Sequence, residues 1–388
     1  MSGEVGIGIV GYGIMGKAHS YGYTVAPVMR RLRHRPRLRV ISGRDKQKVD
    51  AAAVAYGVDG SVIDWRDLVR RPEVDIVDIC TPPGTHAEIA IAAAAAGKAV
   101  ICEKPLAVTY PQAASAVDAA GKARVLNAVG FNYRSLPAVS LMKRMIGEGA
   151  VGKIRLLRAT WLSDEFVDPT IPFDWRFDRS MGGTTIADLG SHLIDLATWM
   201  AGPIAEVSGQ SETFIRQRSD KAVTVDEASA ALVRFESGAR GVLEMARVAV
   251  RRPCDFTIEV NGDRGTLVFE YARLNELLHG DGGTDRSCTA CGGSAPSSRV
   301  IPTPPTGGRS GRVWATDRAS STTWATCSIG GRTARGSRTS RRAPPCRRCA
   351  TRSSAPRRRA DGSTSGRLSV KPYPTRRLCR RPPQPVGR

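Results

Sequence analysis

A glycine-rich turn near the N-terminus places the strongest constraint on the fold of this chain. Residues 5–10 form a short, β-branched apolar run, as expected of a parallel strand that is buried on both faces. The run ends in Gly11-x-Gly13-x-x-Gly16, and a helical segment follows at residues 17–33. The three glycines suit a tight bend, the approach of a pyrophosphate and close helix packing, respectively. An ordinary strand-to-helix turn is the alternative, but the position of the motif between strand and helix favours dinucleotide binding.

The helix after the turn supplies the second part of the predicted phosphate site. Its first N–H groups have no partner within the helix, and the positive end of its dipole attracts phosphate oxygens. We therefore expect the turn and the first helical residues to contact the cofactor. The candidate cofactor-binding residues of this segment are Gly11, Gly13, Ile14, Met15 and Gly16.

The segment after the second predicted strand bears on the choice between NAD and NADP. The strand covers residues 38–41 and leads into Ser42-Gly43-Arg44-Asp45. Many NAD sites place a carboxylate here for the ribose 2′-hydroxyl, whereas an arginine accommodates the 2′-phosphate of NADP. Ser42 and Arg44 favour NADP slightly, although Asp45 lies close by and solvated loop surface is the alternative interpretation. We expect NAD(P) as the cofactor, with a slight preference for NADP.

Two later loops are expected to line the same cleft, because they follow the carboxyl ends of parallel strands. The strand at residues 74–80 opens into a Pro- and Gly-rich loop in which Thr81, Pro82 and His86 are candidate cofactor-binding residues. His86 more simply begins the next helix, so this alternative stays open.

A charged pair follows the next strand, at residues 99–102, in the segment Glu103-Lys104-Pro105. Lysine is almost never buried without a partner, so this segment makes sense facing a cleft, and Glu103 and Lys104 join the cofactor candidates. A further helix and strand complete the alternation of strands and helices. The pattern predicts an N-terminal Rossmann dinucleotide-binding domain over residues 1–131.

The rhythm of the chain changes beyond residue 153. Six predicted strands follow one another with turn signals between them, which is typical of an antiparallel or mixed sheet in an α+β domain. They span residues 154–161, 205–214, 227–235, 240–249, 256–261 and 265–271. One predicted helix interrupts them at residues 184–201. We expect an α/β protein overall, with a second, substrate-binding domain at residues 132–285 that carries an open, mostly antiparallel sheet.

The interrupting helix carries the best candidates for chemistry. Asp188 and His192 are four residues apart, so a regular helix presents both on one face. A surface pair or a hydrogen-bonded core histidine is the alternative. When a secondary alcohol gives hydride to a nicotinamide, its hydroxyl proton must also leave, and histidine is suited to accept it. Asp188 would then hold the imidazole in one tautomer, and Lys104 would stabilise the developing alkoxide.

These motifs together resemble the Gfo/Idh/MocA oxidoreductases, which include glucose-fructose oxidoreductase and inositol dehydrogenases. The resemblance rests on the glycine turn, the Thr81-Pro82-Pro83 loop with His86, Glu103-Lys104-Pro105, and Gly182-Gly183 followed by Asp188-Leu189-Gly190-Ser191-His192. It covers roughly residues 4–280. It implies NAD(P)-dependent oxidation or reduction of a polyol or keto-sugar, that is, a sugar or cyclitol.

The resemblance also implies roles for individual residues. Lys104, Asp188 and His192 match the catalytic positions of the family. Four further residues are expected to line the substrate cleft, although Trp175 suits a core position equally well: Asn132, Tyr133, Trp175 and Arg176. Family members often associate through the open sheet face, so a homo-oligomer is expected. The alternative function is a catalytically silent protein that senses NAD(P) or a sugar with the same fold.

The charge of the chain is concentrated in its last part. Residues 286–388 hold 23 of the 58 basic and two of the 36 acidic residues, a net charge of +21. Residues 1–285 keep 35 basic and 34 acidic residues, a net charge of +1. The total of +22 therefore does not indicate a nucleic-acid-binding domain, and we expect no nucleic-acid partner.

The cysteines and the apolar runs indicate a cytoplasmic protein. Cys80, Cys102 and Cys254 lie in apolar segments, as expected of reduced thiols. No basic-then-apolar leader precedes the first strand, and the longest apolar stretch, at residues 89–96, is far shorter than a membrane span. We expect a soluble protein without a membrane partner.

The basic tail at residues 286–388 departs from the resemblance, because its composition cannot form a core. A disordered tail, a nucleic-acid-binding arm and a zinc site at its two Cys-x-x-Cys pairs are alternatives, and we expect no metal there. Our hypothesis is that a GC-rich gene is read in the wrong frame. Back-translation of residues 346–360 with two bases dropped gives PEVCDAILRSAEEG, an amphipathic helix. An uninterrupted frame through codons 275–290, with the tail detected by mass spectrometry, would refute the hypothesis.

Overall fold

The computed structural model describes residues 3–282 and 298–300 of the chain. The expectations for the basic tail, including its frame, its disorder and its cysteine pairs, lie outside these residues, apart from a short strand at residues 298–300. Within the described residues, no helix combines the length and the apolar character that crossing a membrane requires.

The N-terminal part is a six-stranded parallel sheet flanked by helices. Its strands are β1 (Glu4–Val10), β2 (Arg35–Ser42), β3 (Ser61–Val62), β4 (Ile76–Ile79), β5 (Ala99–Cys102) and β6 (Asn127–Val129). Its helices are α1 (Ile14–Met29), α2 (Lys46–Tyr56), α3 (Trp65–Arg70), α4 (His86–Ala95) and α5 (Tyr110–Ala123). The strand order β3-β2-β1-β4-β5-β6, with parallel pairing throughout, is that of a Rossmann fold, so this prediction is confirmed.

The first strand is buried on both faces, which explains its continuous apolar sequence. Ile7 and Ile9 pack in one core cluster with Ile41 and Val49 on one side of the sheet. Val10 points to the other side and joins a second cluster. Two helical layers therefore hold β1 at the centre of the sheet, and the glycine turn lies at its carboxyl end.

The second part is a mixed sheet with helices on one face. Its helices are α6 (Pro137–Gly147) and α7 (Ser191–Ala201). The strands of the mixed sheet are β7 (Ile154–Leu162), β8 (Ile204–Glu212), β11 (Ala228–Phe235), β12 (Arg240–Ala246), β13 (Asp255–Gly262), β14 (Gly265–Glu270), β15 (Leu277–Asp281) and β16 (Ser298–Val300). The short strands β9 (Gln217–Arg218) and β10 (Lys221–Ala222) form a separate antiparallel pair. Short 3₁₀ turns occur at Pro83–Thr85, Asn132–Ser135, Trp175–Phe177, Arg179–Met181 and Tyr271–Arg273.

The order of the large sheet is β16-β15-β14-β13-β7-β12-β11-β8. The β7–β12 pair is parallel, and the other neighbours in this sheet are antiparallel. The predicted open and mostly antiparallel sheet is therefore confirmed. Sequence patterning did not predict α6 or the last two strands, β15 and β16.

The predicted helix at residues 184–201 is only partly regular. Its first part is a five-residue π-helix, Ile186–Gly190, and α7 begins at Ser191. Gly190 packs against β12 so closely that a Cβ atom there would lie 2.5 Å from the Sδ atom of Met245. Because a π-helix is wider than an α-helix, Asp188 and His192 do not have the relation that i, i+4 spacing predicts.

The core of the second part lies between the sheet and helices α6 and α7. Val139 and Met142 of α6 and Leu193 and Leu196 of α7 pack on the inward-facing side chains of the sheet. The opposite face of the sheet carries exposed apolar side chains at Leu156, Leu232 and Val242. This outer face contrasts with the parallel sheet, both of whose faces carry core clusters.

Candidate active site

The glycine turn has the geometry that its sequence predicts. Gly11 has a φ of +106° and donates its N–H to the carbonyl of Ser42 at 2.9 Å. A Cβ atom on Gly16 would lie 2.0 Å from the carbonyl oxygen of Gly11, so any side chain would push α1 away from the turn. A Cβ atom on Gly13 would meet nothing within 4 Å. The first and third glycines therefore serve packing, whereas the second leaves open space in front of the backbone.

The N-terminus of α1 is free to bind an anion. The helix begins at Ile14, its N-cap is Gly13, and neither a capping side chain nor an acidic residue occupies the first turn. Ile14 is exposed and Met15 is half-buried. Open space at Gly13 together with uncapped N–H groups fits a pyrophosphate at this turn.

The residues after β2 differ in their availability to a ligand. Ser42 is 1% exposed, and its hydroxyl has no hydrogen-bond partner among the described residues. The carbonyl of Ser42 anchors Gly11, and contact of this residue with the cofactor stays a prediction. Asp45 caps α2 by accepting the N–H of Lys48 at 3.1 Å. Arg44 is exposed and forms no ion pair within the described part of the chain.

His86 lies beneath the loop that follows β4 and does not form part of the loop surface. His86 is 0% exposed and begins α4. Its Nδ1 lies 2.8 Å from the carbonyl oxygen of Pro105, and its Nε2 lies 2.7 Å from that of Thr81. Burial lowers the pKa of His86, so the neutral ring has one N–H to donate to one of these two carbonyls, and it packs between the two loops. Contact of His86 with the cofactor stays a prediction. Thr81 and Pro82 are half-buried at the loop surface.

Lys104 crosses from the Rossmann part to the π-helix. Its Nζ donates to the carbonyl oxygen of Asp188 at 2.8 Å and to the carboxylate Oδ1 at 3.0 Å. The other carboxylate oxygen lies 3.8 Å from a guanidinium nitrogen of Arg247, which is fully buried. Burial raises the pKa of Asp188, but the cations Lys104, Arg247 and Arg176 lower it by more, so the carboxyl pKa lies well below its usual range.

His192 lies in an aromatic pocket next to this ion pair. The centroid of its ring is 5.9 Å from that of Phe131, 4.7 Å from that of Tyr133 and 5.5 Å from that of Trp161. The residue is 4% exposed. Burial lowers the pKa of His192, the ammonium of Lys104 lowers it further, and Asp188 opposes them only in part, so the pKa lies well below its usual value.

The expected hydrogen bond between Asp188 and His192 does not form. Within residues 3–282, the side chain of Asp188 bonds to Lys104 and faces Arg247, and no hydrogen bond joins it to the imidazole. The physical reason is that the π-helix alters the i, i+4 relation, while two cations compete for the carboxylate. The expectation that Asp188 sets the tautomer of His192 is therefore corrected.

The four predicted substrate residues lie in different settings. Tyr133 is half-buried against His192, and Asn132 is exposed in the 3₁₀ turn that follows Phe131. Trp175 is half-buried and not part of the core, and the guanidinium of Arg176 lies 4.5 Å above its ring. Arg176 is close enough to lower the pKa of Asp188.

Sequence reasoning missed several residues of this site. Phe131 and Trp161 form walls around His192, and apolar residues in strand patterns carry no signal that separates them from core. Arg247 had a signal: the residues of β12 alternate between buried and exposed, and an arginine two positions after the buried Met245 is a charge turned inward. His19 of α1 lies between the carboxylates of Asp78 and Glu103 and was also missed.

Comparison with known proteins agrees with this architecture. The family model "Oxidoreductase family, NAD-binding Rossmann fold" matches residues 5–131, and "GFO/IDH/MocA C-terminal domain" matches residues 139–268. The levoglucosan dehydrogenase of Pseudarthrobacter phenanthrenivorans is 37% identical over 296 residues, which cover 71% of this chain and 75% of that protein. The myo-inositol 2-dehydrogenase of Thermotoga maritima is 31% identical over 281 residues, covering 72% and 79%, respectively.

A solved structure of levoglucosan dehydrogenase in complex with NADH and levoglucosan has a TM-score of 0.74 and 36% identity to the chain. The match covers 77% of this chain and 80% of that one. The resemblance drawn from the motifs is therefore confirmed, as is the expectation of an enzyme. The chain belongs to the Gfo/Idh/MocA family of NAD-binding oxidoreductases.

Proposed function

We propose that this enzyme transfers hydride between a nicotinamide and a secondary alcohol or ketone of a sugar or cyclitol. One observation carries the proposal: Lys104, at the end of a Rossmann strand, forms a 3.0 Å ion pair with Asp188, and His192 lies beside that pair. The sugar and cyclitol relatives support the substrate class. We propose a division into residues 1–131, which bind the cofactor, and residues 132–285, which bind the substrate.

His192 is the proposed general base in the direction of oxidation. The nicotinamide, when bound, accepts the hydride from the carbinol carbon. The hydroxyl proton passes to the imidazole, which is neutral at neutral pH because its pKa is lowered. The aromatic pocket of Phe131, Tyr133 and Trp161 keeps water from the ring. In the direction of reduction, the same ring in its protonated form returns the proton to the oxygen.

Lys104 is the proposed electrophilic partner of the reacting oxygen. An ammonium has three N–H donors, and Lys104 uses two of them on the carbonyl and the carboxylate of Asp188. The third donor is available to a substrate oxygen, on which negative charge develops as the proton leaves. Asp188, the third residue predicted to be catalytic, is proposed to act as a positioning residue, because it fixes the direction of the ammonium. Arg247, which lies near the other carboxylate oxygen of Asp188, lowers the pKa of Asp188 and so keeps it ionised.

A substrate screen tests this proposal. We expect the full chain, supplied with NAD, to produce reduced nicotinamide, measured by its absorbance, with at least one alcohol of a panel that includes levoglucosan, myo-inositol and glucose. In the reverse direction, the corresponding ketones are tested with NADH, and turnover lowers the same absorbance. Binding of the dinucleotide is measured separately by quenching of tryptophan fluorescence. Tight binding of NAD without turnover on any member would contradict the proposal and favour a protein that senses the nucleotide or the sugar.

We also propose that Arg44 extends cofactor use to NADP. Asp45 is engaged at the N-cap of α2 and by Lys48, while Arg44 is exposed and has no ion pair within the described residues. The guanidinium is therefore available to a 2′-phosphate. We expect Arg44→Ala to reduce kcat/KM for NADP by roughly tenfold, the scale of one charge-assisted hydrogen bond, and to leave that for NAD unchanged. Equal effects on both cofactors would refute this role.

The outer face of the mixed sheet is the proposed surface for self-association. Leu232 and Val242 are paired across β11 and β12, and their side chains are 63% and 38% exposed. We expect light scattering to show an oligomer for the full chain and a smaller species for Leu232→Glu. A monomeric wild-type chain would refute the proposal. The control is Val28→Glu, at an apolar position on α1 that is 82% exposed.

We propose a cytoplasmic location. Cys80 and Cys102 are buried and free, as expected of a chain that folds in a reducing compartment. Fractionation of cells that produce the tagged protein tests this location, and recovery outside the cytoplasm would contradict it.

A further inference from the structure

A histidine outside the proposed catalytic group is held between two buried carboxylates. His19 extends from α1 towards the carboxyl ends of β4 and β5. Its Nδ1 lies 2.9 Å from a carboxylate oxygen of Asp78, and its Nε2 lies 3.0 Å from one of Glu103. Asp78 is fully buried, and the side chain of Glu103 is 9% exposed. Both ring nitrogens thus face an oxygen at hydrogen-bonding distance.

This geometry determines where the protons are. A neutral imidazole carries one N–H, so its second nitrogen would present a lone pair to a carboxylate oxygen. An imidazolium carries two N–H groups and satisfies both carboxylates at once. It also removes one of two negative charges that would otherwise be buried close together. The arrangement therefore favours a proton on each nitrogen of His19.

The groups around the ring agree with a positive charge on it. Burial lowers the pKa of His19, but Cys80 and Asp78 raise it by more, and the pKa lies well above its usual value. The Cys80 thiol lies 3.4 Å from Nδ1. Burial raises its pKa to about 12, so at neutral pH this thiol carries no charge, and the two carboxylates are the groups that favour an imidazolium there. Among the described residues, the other titratable groups that interact with one of the two carboxylates include Tyr23, His86, Cys102 and Lys104.

Glu103 connects this histidine to Lys104. The second oxygen of Glu103 accepts the backbone N–H of Lys104 at 3.1 Å. On the other side of Lys104, His86 bonds to the carbonyl oxygen of Pro105. One histidine from α1 and one from α4 thereby fix the backbone before and after the lysine. The Lys104 ammonium then reaches Asp188 from a backbone that is held on both sides.

We propose that His19 is a positioning residue of this enzyme: as an imidazolium, it ties Glu103 to Asp78 and fixes the segment that carries Lys104. The kinetic part of this inference rests on the proposed role of Lys104, whereas the charge of His19 does not. Loss of the proton breaks one of the two bonds, so the segment loosens at high pH.

Nitrogen-15 NMR of the histidines tests the charge without any assay of activity. The chain has five histidines, and the His19 signals are assigned by their absence from His19→Gln. We expect the ring to be an imidazolium at neutral pH and to titrate well above pH 6.5. A neutral ring at pH 7 would overturn the proposal. So would one equivalent of bound metal in the purified protein, because the ligand atoms of His19, Asp78 and Cys80 lie within 4.8 Å of one another.

Two variants then test the positioning role. In Asp78→Asn, the new amide can donate to Nδ1 while Nε2–H still donates to Glu103, so a neutral ring keeps both bonds. We expect Asp78→Asn to retain most of kcat at pH 7 and to shift its loss of activity to higher pH. We expect His19→Gln to lower kcat by roughly tenfold, with little change in KM for the dinucleotide.

The two halves of the test fail in different ways. An imidazolium at His19 with an unchanged kcat in His19→Gln would overturn the positioning role and leave the charge established. An Asp78→Asn variant as impaired as His19→Gln would show that the carboxylate itself, rather than the two bonds, is needed. If no variant and no wild-type chain turns over any substrate, the proposed function fails, while the NMR result still decides the state of His19.

Discussion

Lys104 is linked to two histidines, to His19 through Glu103 and to His192 through its charge, and the surroundings of the two rings are opposite. Three aromatic rings and an ammonium surround His192, so its pKa is lowered. Two carboxylates enclose His19, and its pKa is raised because Cys80 and Asp78 outweigh the effect of burial. The same side chain is thereby set up as a proton acceptor in one place and as a fixed cation in the other. Environment decides its role, and the sequence pattern around each histidine does not.

The two regions also differ in how they are assembled. The hydrogen-bonding partners of His19 belong to the Rossmann part: the ring on α1 contacts Asp78 of β4 and Glu103, which directly follows β5. The site of His192 needs Lys104 and Phe131 from the first part and Trp161 from the second. Substitutions at His19 should therefore act on geometry, whereas those at His192 should act on the chemical step.

The largest effect is expected for His192→Ala. Loss of a general base lowers kcat on the order of a hundredfold or more, because no other group takes the proton. Binding of NAD should persist, since the glycine turn is unaffected. Stopped-flow absorbance of reduced nicotinamide measures the rate. His34→Ala, at an exposed position, is the matched control. Turnover of His192→Ala equal to that of the control would remove His192 from the mechanism.

The next effect is expected for Lys104→Met. Removal of one preorganised donor to a developing oxyanion costs on the order of a hundredfold in kcat. It also removes a cation that lowers the pKa of His192, so the acid limb of kcat/KM should move to higher pH. Lys122→Met, at an exposed ion pair on α5, is the control. A loss of rate without movement of the acid limb would show that Lys104 does not influence His192.

The pH profile of the wild-type enzyme should separate the two histidines. Because its pKa is lowered, His192 stays unprotonated down to a pH well below 6.5. The acid-side decline of kcat/KM for oxidation should therefore begin only well below pH 6.5. The proton on His19 is lost only well above pH 6.5, which adds a decline at basic pH. An acid limb centred at about pH 6.5, the ordinary value for histidine, would contradict the aromatic pocket of His192.

The smallest effect is expected on stability. A group whose folded-state pKa is raised contributes stability that is complete below its unfolded pKa of about 6.5 and is lost as pH rises through the folded value. The difference in Tm between wild type and His19→Gln should therefore be largest below pH 6.5 and shrink at basic pH. A difference that is constant with pH would indicate lost packing instead of lost charge.

Backbone features could be predicted from the sequence, and side-chain pairings could not. Gly11 and Gly16 reveal the turn because the requirement is local: a left-handed φ at one and no room for a Cβ atom at the other. Strand alternation likewise predicted the mixed sheet. The partner of Asp188 depends on the π-helix and on Lys104, which is 84 residues away along the chain, and no local pattern encodes either.

A ternary crystal structure with NADH and a substrate identified in the screen tests the central claim most directly. We expect the pyrophosphate at Gly13 and the reacting oxygen within hydrogen-bonding distance of both the Lys104 ammonium and the His192 imidazole. A reacting oxygen that contacts neither side chain, or a nicotinamide bound away from them, would contradict the account.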